Sequence, residues 1–427
     1  MTLNYIWIGF FFTALIVALA RFAGYIMSAH LDMLPGLVFT AADRDVFVAM
    51  VESTFDMAKI SVTIAITLIG VMALWLGIMR VGEKGGAVAA LTRLVQPFFS
   101  RIFPDLPAGH PAFGSMMMNI SANMLGLDNA ATPLGIKAMR ELQEVNPDKD
   151  TASNPQIMFI ALNTSGLTLI PVSIMAVRAA MGAANPADIF LPILLTTFFS
   201  TMAALVIVSL VQRINLLQPV VLAYLGGLSL AIGSLLWALS NMAAGRLGAA
   251  STFAGNFILF LFIIVFLFLA WRKKVNVYQE FIEGSKEGFH VAVSIIPYLV
   301  AMLVAIGVFR ASGALDLLVA GVGKFLGLFG FGTDFVGALP TAFMKPLSGS
   351  GARAMMIEAF NNYGVDSFTG RLAATFQGST ETTFYTIAVY YGAVNVRNTR
   401  YTVTAGLLSE LAAIIAGVFI ARIFFGA

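Results

Sequence analysis

The sequence predicts an all-α polytopic membrane protein built from two related halves, and three observations carry that prediction. Of 427 residues, 59% are hydrophobic and only 11% are charged, against roughly 25% charged in an average soluble domain. Mean hydropathy is +0.88 along the whole length, whereas a single soluble core stops growing near about 250 to 300 residues, so the surplus apolar surface faces a lipid bilayer. Runs of membrane-spanning length then recur in an order that repeats. The net charge of +3, from 25 basic and 22 acidic residues, reads as loop bias in a membrane protein and gives no reason to expect nucleic acid. With no cysteine in the chain, disulfides, thiolate metal sites and cysteine nucleophiles are excluded.

A helix crosses the hydrocarbon with about 20 apolar residues. Uncharged runs of that kind cover Leu3 to Ala20, Ile60 to Met79, Pro155 to Val177, Ile189 to Val211, Pro219 to Ser240, Thr252 to Trp271 and Gly288 to Phe309. Leu372 to Val396, with Glu381, and Tyr401 to Ala421, with Glu410, bring the expected spans to nine. Ala18-Leu19-Ala20 imitates a signal-peptidase site, but Met1-Thr2-Leu3-Asn4 lacks the basic residue of a secretory signal, so the first run is read as a retained helix. Arg272-Lys273-Lys274, directly after the most apolar run, marks the cytoplasmic side. Walking outward from it places Arg80 to Arg101, Lys137 to Lys149, Arg213 and Arg397 with Arg400 inside, the amino terminus inside and the carboxyl terminus outside.

Val88 to Phe103 alternates apolar residues with Arg93, Gln96 and Arg101, a pattern for an amphipathic helix at the interface. His110 to Ala131 is apolar but interrupted by Asn119, Ser121, Asn123, Gly126, Asp128 and Asn129. Non-helical backbone survives at membrane depth only where protein or a cavity surrounds it, so this segment predicts a re-entrant hairpin. Ala314 to Phe331 and Phe335 to Ala352 repeat that succession. The order of span, interfacial helix, hairpin, interrupted span and plain span therefore occurs over Ile60 to Val211 and again over Gly288 to Ala421, dividing the chain into halves 1–215 and 216–427. By the charge-derived topology the halves are inverted, an architecture common among secondary transporters, whose sites form where broken helices meet.

Four elements carry intramembrane chemistry. The first hairpin ends in Asp128-Asn129-Ala130-Ala131-Thr132-Pro133, where Thr132 is expected to cap a helix with Pro133 in its first turn. The second reads Lys345-Pro346-Leu347-Ser348-Gly349-Ser350-Gly351, whose lysine suits a carboxylate or phosphate. In the interrupted spans, Asn163-Thr164-Ser165-Gly166-Leu167-Thr168 aligns with Gln377-Gly378-Ser379-Thr380-Glu381-Thr382. A carboxamide, a serine and a threonine thus recur at matched spacing, and Ser165 with Thr168, like Ser379 with Thr382, lie three apart on one helix face. An acid at the centre of a span costs about 2.5 to 3.5 kcal/mol on insertion scales, which makes Glu381 the strongest single candidate. The expected substrate-binding set is Asp128, Asn129, Thr132, Asn163, Thr164, Ser165, Thr168, Lys345, Ser348, Ser350, Gln377, Ser379, Thr380, Glu381 and Thr382. Asn163 and Gln377 are expected to face one shared cavity.

Each of these residues has a plainer reading. Small hydroxyls in membrane helices often serve packing and inter-helix hydrogen bonds, Lys345 could pair with Asp128 or Glu381, and Glu410 is assigned to a packed interface and left out of the site. His30, His110 and His290 are scattered without metal-ligand spacing. Gly321-Val322-Gly323-Lys324 resembles the end of a phosphate-binding loop, but Leu318 replaces the leading glycine and Phe325 the Ser or Thr, so no ATPase motor is expected. Zinc-protease and serine-hydrolase signatures are also missing, and no enzymatic activity is expected.

Leu76-Gly77-Ile78-Met79-Arg80, Phe103-Pro104-Asp105 to His110-Pro111, Asp128 through Met139 and Asn163-Thr164-Ser165 resemble spore maturation protein A. Pro297-Tyr298-Leu299-Val300, Phe309-Arg310-Ala311-Ser312-Gly313-Ala314 and Gln377 through Thr383 resemble spore maturation protein B. Each half is then similar to a nucleoside-recognition Gate domain, the module also found in concentrative nucleoside transporters and in the membrane part of the ferrous-iron transporter. The resemblance implies a core of hairpins and broken helices, without implying nucleoside as substrate, and it associates the relatives with spore-core dehydration. The reading that follows is a secondary transporter of a small polar solute, nucleoside-like or an envelope metabolite, with no cofactor and with proton or sodium as the candidate coupling ion. The alternative is a non-transporting membrane scaffold or ligand-binding protein assisting envelope or spore-cortex maturation. A metal permease is disfavoured because the hairpins lack a soft-metal cluster; Met116-Met117-Met118 are consecutive and cannot share one helix face. Homo-oligomerisation is left open by the sequence.

Overall fold

The computed structural model describes residues 2–30, 39–107, 109–125, 128–166, 168–240, 244–330 and 332–426. Among these residues there are helices and no strand, with a single isolated parallel bridge between Thr151 and Asn398. The first half contains α1 (Thr2–His30), the short α2 (Ala41–Arg44), α3 (Val46–Gly85), α4 (Ala87–Ile102), α5 (Pro111–Met124), α6 (Asp128–Glu144), α7 (Asn154–Thr164), α8 (Val172–Ala180) and α9 (Phe190–Gln212). Two connecting helices follow, α10 (Pro219–Ser240) and α11 (Ala244–Arg272). The second half contains α12 (Val277–Ser294), α13 (Ile296–Ala311), α14 (Ala314–Gly327), α15 (Leu339–Met344), α16 (Gly349–Tyr363), α17 (Phe368–Ser379), α18 (Thr383–Gly392) and α19 (Thr402–Phe425).

Six helical stretches among the described residues are long and apolar enough to cross a membrane: Asn4–Ser28, Val46–Gly85, Phe190–Gln212, Gly255–Arg272, Val277–Ala311 and Thr402–Phe425. The nine expected from sequence also counted Pro155 to Val177, Pro219 to Ser240 and Leu372 to Val396. In the first of these the helix stops at Thr164 and resumes at Val172, and in the third it stops at Ser379 and resumes at Thr383. Of the middle run, Pro219–Ser234 is a described apolar helix just short of spanning length.

The spine of the molecule is the pairing of α3 with α12 and α13. The 40 residues of α3 make a rod of about 60 Å at 1.5 Å per residue. It runs antiparallel to its partner: Gly77 lies against Phe281 and Ser285, Gly288 against Ala73, and Gly307 against Ser53 and Met57. At Gly288 the backbones meet so closely that a Cβ would stand 2.6 Å from the Ala73 Cα, the small-residue packing by which membrane helices associate without a hydrophobic driving force. The Ser285 hydroxyl donates to the Ala73 carbonyl (3.0 Å) and Arg80 Nε to Glu280 (2.9 Å), fixing the register. α9 and α19 form a second antiparallel pair, in which Ser200 Oγ donates to the Ser409 carbonyl and Gly417 packs near Thr196.

The first turn of α6 differs from the expectation. The helix begins at Asp128, with Pro133 inside it, so Thr132 is not its cap. Pro133 has no N–H for the carbonyl four residues earlier and its ring crowds that carbonyl, costs the helix bears near its start, in its second turn.

Candidate functional site

The two interruptions meet. α7 begins with a capping box, Ser153 accepting from the Gln156 N–H and Gln156 reaching back to the Ser153 N–H, and ends at Thr164, with Ser165 as its C-cap. There Gly166 takes φ +67°, a left-handed conformation that a residue with a Cβ adopts only with strain. The same glycine lets the second break approach, since a Cβ on it would lie 2.6 Å from the Thr380 Cα. The Glu381 N–H donates to the Thr164 carbonyl (3.0 Å), so backbone groups freed by one broken helix are satisfied by the other. The Thr197 hydroxyl donates to the Gly166 carbonyl and holds the turn from α9.

Each break also grips the hairpin of its own half through the matched carboxamide. Asn163 Oδ1 accepts from Asn123 Nδ2 at the end of α5 (2.8 Å) and from the Tyr390 hydroxyl (3.4 Å). Gln377 Nε2 donates to the Gly349 carbonyl at the start of α16 (3.1 Å), while the Gln377 carbonyl accepts from Lys345 Nζ (2.9 Å). The expectation of one shared cavity is therefore corrected. Gln377 lines a cavity of about 170 Å³ together with Thr168, Lys345, Arg353, Thr380, Thr382 and Glu381. Asn163 lines a different one, of about 300 Å³, with Asn123, Thr132, Tyr385 and Tyr390. The joined breaks lie between them, and Glu381, exposed, lines both.

The other sequence candidates divide by what their side chains touch. Thr164 Oγ1 donates to Ala161 and Ser165 Oγ to Leu162 within their own helix, with Ser165 also bonded to Thr201; both are buried packing groups. Ser348 caps α16 by accepting from the Gly351 N–H and bonds the Ser350 hydroxyl. Ser379 Oγ donates to the Phe376 carbonyl and lines a small third cavity. Asp128 and Asn129 open α6, but their side chains lie outside the described residues.

Two groups escaped the sequence reading, and a third, Glu410, sits buried as expected but borders a cavity. Arg353 enters the first cavity because it stands one turn after Gly349, a spacing visible in the sequence. Tyr390 ties the halves together, accepting from Asn119 Nδ2 (3.1 Å) and donating to Asn163. Glu410 is 4% exposed, accepts from the Thr383 hydroxyl (2.8 Å) and shares the third cavity with Lys345. Its other carboxylate oxygen has no hydrogen-bond partner.

The halves interlock at two further places. The 145–153 loop, between α6 and α7, joins the 393–401 loop, between α18 and α19, through backbone bonds: Arg397 and Asn398 N–H groups donate to the Asp150 carbonyl and the Ala152 N–H to the Asn398 carbonyl. The α8–α9 loop joins the α16–α17 loop through charge. Arg178, fully buried, donates to Asp188 (2.8 Å), Asp366 (3.0 Å) and the Val365 carbonyl, while Arg371 Nε donates to Asp188 (2.8 Å).

The model of the Gate family, described as nucleoside recognition, matches residues 65–270 and 292–397. Spore maturation protein A of Bacillus subtilis is 44% identical over 156 residues, which is 36% of this chain and 80% of that protein. Spore maturation protein B of the same organism is 45% identical over 154 residues, 36% of this chain and 85% of that protein. The solved structure of the Alcanivorax borkumensis YdaH transporter aligns over 97% of both chains with 16% identity and a TM-score of 0.43, a likeness too low to carry an inference.

Proposed function

Because the chain belongs to the Gate (nucleoside recognition) family and is a multi-pass membrane protein, we propose that it is a secondary transporter of the bacterial inner membrane. It moves a small polar solute by alternating access between two inverted halves, residues 1–215 and 216–427. The observation that carries this reading is the direct junction of the two helix breaks, Glu381 N–H on the Thr164 carbonyl, between polar cavities that both touch Glu381. Unwound backbone at the junction of repeat halves is where transporters of this architecture bind solute and coupling ion, and a scaffold has no use for it.

The inverted repeat is supported by the antiparallel α3 and α12–α13 pair. It is supported equally by the placement of the interlocks. The loop after the hairpin of one half always meets the loop before the last helix of the other, once as 145–153 with 393–401 and once as 364–367 with 181–189. Inverted halves put these two interlocks on opposite faces, where each would open in turn. Thr168, Gln377, Thr380, Glu381 and Thr382 line the solute path on one side of the junction, Thr132 and Asn163 on the other, while Thr164, Ser165, Ser348, Ser350 and Ser379 hold the breaks and hairpins in shape. The experiment is a single cysteine at Thr382, labelled with an impermeant maleimide in right-side-out and inside-out vesicles. Reaction from both faces supports alternating access; reaction from only one face favours the scaffold reading.

A further inference from the structure

Resting on that reading, we propose that transport is coupled to protons and that Glu410, on α19, is the group that carries them. Glu410 is buried on a helix long and apolar enough to span the membrane, where an ionisable side chain marks a path for ions or protons. Its surroundings are not those of an acid that only packs. The buried aspartates that tie this fold together use both carboxylate oxygens: Asp43 accepts from Arg21 on one and from Thr40 on the other, and Asp188 from Arg178 on one and from Arg371 on the other. Glu410 uses one. Its Oε1 accepts from the Thr383 hydroxyl (2.8 Å), while its Oε2 is buried with no hydrogen-bond partner. A proton added at Oε2 breaks no bond that the fold already makes. The new O–H bond forms as hydronium gives up a proton, leaving a neutral carboxyl and a water, and release on the other face reverses the step.

Two features connect this carboxyl to the solute path. Glu410 borders the third cavity, about 10 Å³, with Lys345, Ser379 and Thr380 on its wall; that is the least space that admits one water. Lys345 and Thr380 also line the 170 Å³ cavity, so a single water separates the acid from the larger space. The second feature is mechanical. Thr383 is the first residue of α18, directly after the second break, and α19 fits it so closely that a Cβ on Gly406, one turn before Glu410, would lie 2.6 Å from the Thr383 Cγ2. An ionised Glu410 holds the Thr383 hydroxyl by a charge-assisted bond, and a neutral one by a bond about half as strong. Proton loading therefore loosens the start of α18, just beyond the Glu381 N–H that joins the breaks.

The charged groups that act on the carboxyl are Lys345 and Glu381. Of the helices packed on α19, α7 and α9 contain no titratable residue. α17 brings Arg371, which stacks on Phe425 at the far end of α19, where Arg422 of α19 itself is paired with Asp334. α18 brings Tyr385, which is exposed, Tyr390, bonded to Asn119 and Asn163, and Tyr391, bonded to Thr402. α11 carries Arg246 and Arg272 near its two ends.

The test reads proton binding first. Infrared difference spectra of the full chain in lipid are recorded in sodium-free buffer from about pH 5 to about pH 9. A protonated-carboxyl C=O band that shifts in D2O should rise and fall with pH, vanish in Glu410→Gln and remain in Glu381→Gln. Should Glu410→Gln not fold, Glu410→Asp keeps the carboxyl, draws it back by one methylene and should move the band instead. The second readout is Thr382→Cys, labelled by impermeant maleimide in right-side-out and inside-out vesicles. The ratio of the two rates cancels the reagent's own pH dependence; it should change about fivefold or more across the midpoint of the band and stay constant in Glu410→Gln. A band indifferent to substitution of Glu410, or a ratio indifferent to pH, would overturn the proposal. Labelling from one face alone at every pH while the band titrates would leave proton binding at Glu410 standing and remove the transport reading. Labelling from both faces with no band from Glu410 would leave transport standing and remove Glu410 as the proton carrier.

Discussion

Gly166→Ala tests whether the two helix breaks are built to touch. Gly166 has φ +67°, and forcing an alanine into the left-handed region costs about 1 to 2 kcal/mol. Beyond that, the new methyl would meet the Thr380 Cα at 2.6 Å, its carbonyl carbon at 2.8 Å and the Glu381 nitrogen at 3.0 Å. These are backbone atoms of the other break and cannot swing aside as a side-chain tip can, so overpacking adds about 1 to 3 kcal/mol. Separating the breaks to make room also stretches the Glu381 to Thr164 hydrogen bond, worth about 0.5 to 1.5 kcal/mol. Gly182→Ala is the matched control: φ is +79° and nothing lies within 4 Å of the added Cβ, so only the backbone contribution applies. Measured by reversible unfolding in mixed detergent micelles, Gly166→Ala should therefore lose about 2.5 to 6.5 kcal/mol and Gly182→Ala about 1 to 2. Equal losses in the two variants would refute the close junction.

Three other outcomes are expected. Asp43, in the link from α1 to α3, is held below the usual aspartate range, first by the Thr40 N–H it accepts from and then by Arg21. A depressed folded pKa contributes stability above the unfolded pKa near about 4 and loses it as pH falls through the folded value, so the hydrogen-exchange protection of Thr40 and Asp43, taken relative to the intrinsic rate at each pH, should fall in acid, and Asp43→Asn should remove that acid dependence. Because Asn163 accepts from Asn123 and Gln377 donates to Gly349, with no partner in common, Asn163→Ala and Gln377→Ala should each lower unfolding stability by about 1 to 3 kcal/mol and the double variant should lose the sum, as read by the same unfolding in mixed micelles. In a chain without cysteine, a cysteine at exposed Lys149 should be shielded from an impermeant reagent in whole cells and one at exposed Asn362 labelled; equal labelling would contradict inversion.

Much of the helical layout was legible because membrane helices advertise themselves by composition. Expected bounds of Val88 to Phe103 and Ala314 to Phe331 compare with observed helices at Ala87–Ile102 and Ala314–Gly327, and the polar runs at 163–168 and 377–382 fall at the observed breaks. What composition could not convey was the reach of α3 past its apolar centre, because the charged ends of a long helix carry no hydropathy signal. Nor could it place Asp188 beside Arg371, 183 residues apart in sequence. The start of α6 was misread because Thr-Pro is a strong helix-start pattern, yet Asp128 begins the helix before it. Glu410 and Glu381, both lone acids in apolar runs, were separated in the sequence as packed interface and site, and the fold has Glu410 buried and Glu381 exposed; what the sequence could not convey is that Glu410 also borders a cavity beside Lys345.

The claim that the interlocks are alternating gates is tested most directly by locking one of them. Thr151 and Asn398 form a bridge between the two loops, within the Cα spacing a disulfide spans, and cysteines at both, with a third at Thr168 on the cavity wall, report opening without knowledge of the solute. Impermeant maleimide should reach Thr168→Cys from both membrane faces when the pair is reduced, and from only the opposite face once the disulfide forms, with reductant restoring the first pattern. Labelling from both faces that persists with the disulfide closed would contradict the account.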